Sequence, residues 1–355
     1  MSASGECVNV VGRSSLTTRH RRCVLSAISV ELGELRSLDE LPEFIKDPEL
    51  LPLFRQRGLA YFAESRITAF ELAMRSCRKT LSIANTAPGD IDTFILVTET
   101  QKADLLTSAA GMGLFLTEAG LSRAYPVGVH GAQCSNLAGA LGIARALIST
   151  GEALRILVCV VEKIDTVAAP DGSRLTNEPG MQVSDAQQPT RLTGDLGLTV
   201  CSDGAASFLV SADADDGFEI LSIARHSAPR IVGHLLRDQM QDVAMINASS
   251  VRSVVDEALA PLDLARQDVS RVLTNNCGMH IQKQILANAG FSLEQGFFDN
   301  IARFGHAFSV DNIANLYDLT AAAAPQQGER YLLLFNAASS WGAILLQRWG
   351  GRWHR

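Results

Sequence analysis

The feature that most constrains the fold is an order of elements spelled twice along the chain: strand, loop, small-residue helix, strand, strand. In the first pass, Ile67, Phe70, Met74, Cys77 and Leu81 recur at helical spacing. Ala87-Pro88-Gly89-Asp90 then breaks that helix. The continuous apolar run Asp92–Thr98 (DTFILVT) predicts a strand covered on both faces. Tyr125–His130 predicts a second buried strand, and Gly131-Ala132-Gln133-Cys134 leads from it into a helix. That helix is small nearly all round, with Ala138, Gly139, Ala140, Gly142 and Ala144. Other backbone can approach it closely, so it belongs in the middle of the molecule. Gly151 is its expected C-terminal cap. Arg155–Val161 and Thr199–Ala212 complete the pass as strands, the latter broken near Asp203-Gly204.

The second pass runs Phe218–Ile223 (strand), Val251–Leu259 (helix), Arg271–Thr274 (strand) and Gln282–Ala289 (helix). A loop over Asn300–His306 follows, then a helix through Ile313–Leu319 and strands at Tyr331–Asn336 and Trp341–Trp349. Strands alternating with helices give the α/β class. The expectation is an internal duplication about an approximate two-fold, with halves 1–215 and 216–355, although few residues are identical between them. Cys134 and His306 then occupy comparable turns before comparable helices, which brings both to the centre. The polar stretch 165–197 is long for a connection in a compact domain. It reads either as an excursion over the pocket or a subunit interface, or as a disordered surface loop.

Composition narrows the class further. With 47% hydrophobic residues in 355, a large core is within reach. The net charge of -7, without clustered Lys and Arg, disfavours nucleic-acid binding. No apolar run is long enough to span a membrane, and the opening residues lack a secretory pattern, so a cytoplasmic enzyme is expected. Seven cysteines at irregular spacing, with no CxxC pair, suggest free thiols rather than a disulfide framework or a structural zinc site. No His, Asp and Glu cluster has metal-ligand spacing.

Cys134 carries the strongest chemical signal. It follows a strand and opens a helix, where unpaired N–H groups and the helix dipole favour thiolate over thiol. A thiolate exchanges readily with a thioester. On position alone, a small buried apolar cysteine fits equally well. His130, by strand alternation, shares a side with Cys134, though core packing explains it too. His280 is a weaker candidate.

The stretch GAQCSNLAGALGIARALISTG resembles the nucleophile segment of β-ketoacyl-acyl carrier protein synthase III, a family of the thiolase superfamily. APGDIDTFILVTET is similar to that family's helix-then-strand before its dimer contact, and VCSDGAASFLVSA to its GDGA stretch. RFGHAFSVDNIA is similar to its RxGN loop and following helix, and LFNAASSWGAILLQRW to its glycine-rich turn and final strand. Order and spacing agree over most of the chain. The resemblance implies a thiolase-like fold, a duplicated five-layered αβαβα, in a homodimer. It implies an acyl group delivered as a thioester of coenzyme A or of an acyl carrier protein, with no separate cofactor.

The resemblance also implies site residues. Cys134 matches the nucleophile. The family's His falls on Asn275, with Asn276 as its neighbouring rival, and the family's Asn falls on His306. The imidazole and the carboxamide have exchanged places. In this reading Asn275 donates to a thioester or enolate oxygen, while His306 moves a proton. The family's glycine-rich turn reads Asn336-Ala337-Ala338, so the N–H of Ala338 and that of Cys134 are the expected oxyanion pair. Leu106, Phe304 and Ser339 are expected along the acyl pocket. Leu106 sits where the family inserts a bulky residue from the partner subunit, and a loop-end contact in the dimer core fits it as well. Two reactions follow: decarboxylative carbon–carbon condensation, or acyl transfer to an oxygen or nitrogen nucleophile. The altered site points to specialised metabolism. A non-catalytic partner subunit of a ketosynthase-like heterodimer is the alternative from another class.

Overall fold

The structure is a computed structural model that describes residues 21–99, 105–164, 174–177, 198–237 and 239–350. Of the polar stretch 165–197, only 174–177 falls among them. Ten strands form the main sheet: β1 (Val24–Leu32), β2 (Thr93–Val97), β3 (Tyr125–Val129), β4 (Arg155–Glu162), β5 (Gly204–Ser211), β6 (Gly217–Ser227), β7 (Arg271–Leu273), β8 (Gly296–Phe297), β9 (Arg330–Asn336) and β10 (Ser340–Trp349). Their order is β8-β7-β9-β10-β6-β1-β5-β4-β2-β3. From seam to edge, each half places its first, fifth, fourth, second and third strand. In the main sheet the halves join at β1 and β6, antiparallel at Val24↔Glu219 and Leu25↔Phe218.

Six helices cover and separate these halves: α1 (Ala69–Ile83), α2 (Ala109–Glu118), α3 (Asn136–Thr150), α4 (Met240–Leu259), α5 (Met279–Ala289) and α6 (Val310–Ala322). α1 starts at a reciprocal cap. Thr68 Oγ1 accepts from Glu71 N at 3.1 Å, and Glu71 Oε2 accepts from Thr68 N at 2.9 Å. α1 and α2 bury Leu72, Met74, Leu81 and Phe115 against Phe94 and Leu157 of the first half-sheet. α4 and α5 bury Val254, Val255 and Leu286 against Leu332 and Leu345 of the second. α3 and α6 lie between, with Leu137, Leu141, Ile313 and Leu316 packed among Val158, Phe208, Leu333 and Ile344 from both half-sheets. The layers are therefore αβαβα, and the fold is thiolase-like. Small residues make the centre possible: a Cβ added at Gly342 of β10 would lie 2.6 Å from the Ala138 Cβ of α3.

One strand was not read from the sequence, and two readings change. β1, which the periodicity does not single out, is the seam strand. It is interrupted at Ala27 (φ 52), where its register against β5 shifts between Ser26 and Ser29, so its alternation is broken. β3 is not buried but is the sheet's edge, with Tyr125 72% exposed. Pro126 and Gly128 within it fit an edge position. The expected loop Asn300–His306 is mostly a short helix, Asp299–Phe304, and only Gly305 and His306 form the turn.

Candidate active site

Two turns before two central helices build the site. After β3 the chain passes Gly131 (φ 91) and Gln133 (φ 49), then a 3-10 turn over Gln133–Ser135 delivers Cys134 to the start of α3. Side chains brace this turn. Asn136 Oδ1 accepts from Ala132 N at 2.8 Å, and Glu99 Oε2 accepts from Asn136 Nδ2 at 2.9 Å and from Gly131 N at 3.2 Å. Ser309 Oγ, at the head of α6, donates to the carbonyls of Gln133 (3.1 Å) and Cys134 (3.2 Å).

The second turn positions the imidazole. Gly305 (φ +63) lies so close to the Val200 carbonyl that a Cβ there would sit 2.8 Å from the oxygen. This approach lets His306 N donate to Val200 O (2.9 Å) and Ser202 N donate to His306 O (2.8 Å). The Val200–Asp203 segment is anchored in turn by a buried forked ion pair. Arg174 reaches Asp203 Oδ1 at 3.1 Å and Oδ2 at 3.0 Å. Asp203 also accepts from Ser65 N and Ile164 N, both at 2.8 Å.

These frames bring Cys134 Sγ to 3.3 Å from His306 Nε2, with both residues at 0% exposure. Behind the ring, His306 Nδ1 lies 2.5 Å from Asp311 Oδ2. Asp311, in the first turn of α6, also accepts from Asn276 N and Ala307 N, each at 2.7 Å. Its oxygens face donors, so the ring proton sits on Nδ1 and Nε2 is turned to the sulfur. Cys134, His306 and Asp311 thus form a buried thiol–imidazole–carboxylate relay, the geometry that a nucleophile, its base and an orienting acid require. Asp311 is the residue that sequence reasoning missed. Its signal was present as an acid five residues after the histidine, in a first helical turn where acids are common for other reasons.

Other expected residues fall differently. Asn275 Nδ2 donates to Phe308 O (3.1 Å) and Asn312 Oδ1 (3.2 Å), while its Oδ1 accepts from Asn336 N (3.1 Å). The carboxamide knits β7, β9 and α6 together at the strand ends, so its donors are already engaged. Phe304 is in the central core beside α3 and α6 rather than in an acyl pocket, because the Gly305 turn reverses the chain after it. Phe308 (φ 50) takes the place at the thiol, packed with Cys134, Cys201 and Ala337, its ring 4.8 Å from His306. Leu106 is 2% exposed and packs in its own chain with Met112 and Phe115 rather than projecting outward. Ser339 is half-buried, and its carbonyl accepts from Ala228 N. Its neighbour Ser340 touches the Cys134 turn, through Ala132 O and Ser135 Oγ. Ala338 N donates to Gln133 Oε1 at 3.1 Å. His130 is exposed and lines a cavity with Thr107, Ser108 and Met112, away from the relay.

The remaining thiols differ in character. Burial pushes Cys23 up to about 12, and the Cys77 thiol, together with burial, pushes Cys159 well above the ordinary thiol range. Cys277 Sγ lies 3.9 Å from His306 Nδ1. Among the described residues, no group of three or more His, Cys, Asp or Glu is arranged to hold a metal ion, and no helix is long and apolar enough to cross a membrane.

No protein-family model matches the chain. A β-ketoacyl-acyl carrier protein synthase III of Cereibacter sphaeroides is 29% identical over 231 residues, 62% of this chain and 66% of that protein. The match thus spans just under two thirds of the relative's length. Among solved structures, ChlB3, an acyltransferase, superposes with a TM-score of 0.75 at 14% identity, covering 93% of this chain and 98% of that one. The 3-oxoacyl-acyl carrier protein synthase III of Aquifex aeolicus gives 0.70 at 19% identity, covering 92% and 99%. At these identities the structural likeness speaks for the fold.

Proposed function

We propose that this chain, a β-ketoacyl-acyl carrier protein synthase III-like protein of the thiolase superfamily, is an acyltransferase that carries its acyl group on Cys134. The 3.3 Å contact between Cys134 Sγ and His306 Nε2, backed by Asp311, carries this reading. His306 Nε2 takes the thiol proton as sulfur attacks the carbonyl carbon of a coenzyme A or carrier-protein thioester. The tetrahedral oxyanion is held by the N–H groups of Cys134 and Ala338. Collapse expels the donor thiolate, which leaves with the proton from His306. In the second half-reaction His306 takes a proton from the acceptor as it attacks the acyl carbon, and returns that proton to Cys134 Sγ as the sulfur leaves. Asp311 keeps the ring in the required tautomer and stabilises the imidazolium that forms in each half. Ping-pong kinetics follow.

The second half-reaction is acyl transfer to an oxygen or nitrogen nucleophile, giving an ester or an amide. Decarboxylative condensation needs two donors on an enolate, and the Asn275 carboxamide is spent on Phe308 and Asn312. The rearranged site fits specialised metabolism. The active unit is a homodimer: β3 ends the sheet with Tyr125 72% exposed, an apolar face that this chain leaves uncovered. Incubation with acyl-coenzyme A and intact-mass measurement tests the loading step. An acyl adduct on Cys134 is expected, and an unmodified protein favours a non-catalytic partner subunit. Carbon dioxide release from a malonyl thioester during turnover would overturn the choice of acceptor.

A further inference from the structure

We infer that Gln133 plugs the oxyanion site: its Oε1 holds the place on Ala338 N–H that a thioester carbonyl oxygen has to take, and it swings out before Cys134 is acylated. This rests on the acyl-transfer reading above. The contact is direct, at 3.1 Å, and a backbone N–H can bond only the oxygen of the carboxamide. The plug stands next to the nucleophile in sequence. Its own backbone is fixed, held at a φ of 49 and gripped at its carbonyl by Ser309 Oγ. The movable part is therefore the side chain. Cys134 has 0% exposure, whereas Gln133 is half-buried and has solvent on one side.

Exchange at this N–H replaces one carbonyl acceptor by another, so the number of hydrogen bonds is preserved. As negative charge grows on the substrate oxygen, the N–H prefers it to a neutral amide oxygen. The plug thus yields to a reacting thioester and keeps the donor paired when none is bound.

Two variants of the full chain test this. The readouts are the rate of acyl-Cys134 formation from acetyl- and octanoyl-coenzyme A, and hydrogen exchange of the Ala338 amide without thioester. Gln133→Ala is expected to acylate roughly fivefold to tenfold faster, the worth of one ordinary hydrogen bond. Its Ala338 amide is expected to exchange about tenfold faster for the same reason. Gln133→Glu is expected to acylate more slowly at neutral pH, because a carboxylate binds the N–H more strongly. Slower acylation in Gln133→Ala, or unchanged Ala338 exchange in both variants, overturns the plug. A wild-type chain that takes no acyl group sinks the acyl-transfer reading instead, and the exchange measurement still decides the plug.

Discussion

At the residue scale, the proposed cycle separates groups that react from groups that hold. Asp311 touches no substrate atom in the proposed cycle, yet it fixes which nitrogen of His306 faces sulfur. Asp311→Asn keeps the shape but sets an N–H against donors. We expect kcat/KM to fall by roughly 100- to 10,000-fold with the fold retained by circular dichroism. A loss under tenfold would remove Asp311 from the relay. Cys134→Ala is expected to abolish acyl loading, and His306→Ala to slow both loading and transfer, both read by intact mass. Asn275 belongs to the holding groups. Asn275→Ala strips partners from Asn336 N and Phe308 O, and the expected cost is about 2–4 kcal/mol of stability by denaturant titration. The thiols divide likewise. Cys23, pushed up to about 12 by burial, stays protonated at neutral pH and is expected to react with iodoacetamide far more slowly than Cys134 by peptide mapping.

At the element scale, geometry is set by a few close approaches. α3 and β10 touch at Ala138 and Gly342 with no room for a larger side chain. Ala138→Leu is expected to lose roughly 1–3 kcal/mol through overpacking, checked by thermal unfolding. The segment that carries the His306 backbone depends on the buried Arg174–Asp203 pair. Arg174→Met leaves a buried carboxylate without its main partner, and a loss of about 3–5 kcal/mol is expected. Catalytic loss should track unfolding in that variant. Activity lost in a fully folded Arg174→Met would instead assign the arginine a direct role.

At the scale of the whole molecule, duplication explains why one chain makes a two-sided site. Each half supplies a turn in front of its central helix, α3 or α6, and the seam at β1 and β6 sets the halves together. One turn brings sulfur and the other imidazole and carboxylate. In the proposed dimer, the edge at β3 meets its own copy. Sedimentation is expected to give twice the chain mass, and a charge placed at the exposed edge position Gly128, Gly128→Lys, to shift it toward monomer. A wild-type monomer would end the dimer proposal.

Much of this was legible before any coordinates, and the parts that were not share a cause. Continuous apolar runs such as Thr93–Val97 and the small-residue helix after Cys134 declare themselves, because burial on both faces and close packing demand those residue types locally. β1 did not, since its bulge breaks the alternation that marks a strand. The edge position of β3 was also hidden, because neighbours along the chain do not reveal neighbours in a sheet. The resemblance pointed to Cys134 and His306; on position alone, a small buried cysteine and a loop histidine fitted as well. It did not distinguish a carboxamide that faces substrate from one that ties strands together, nor an acid that caps a helix from one that orients a histidine. Those roles depend on which donors lie within about 3 Å, and such donors come from segments far apart in the chain. Only the folded molecule decides them.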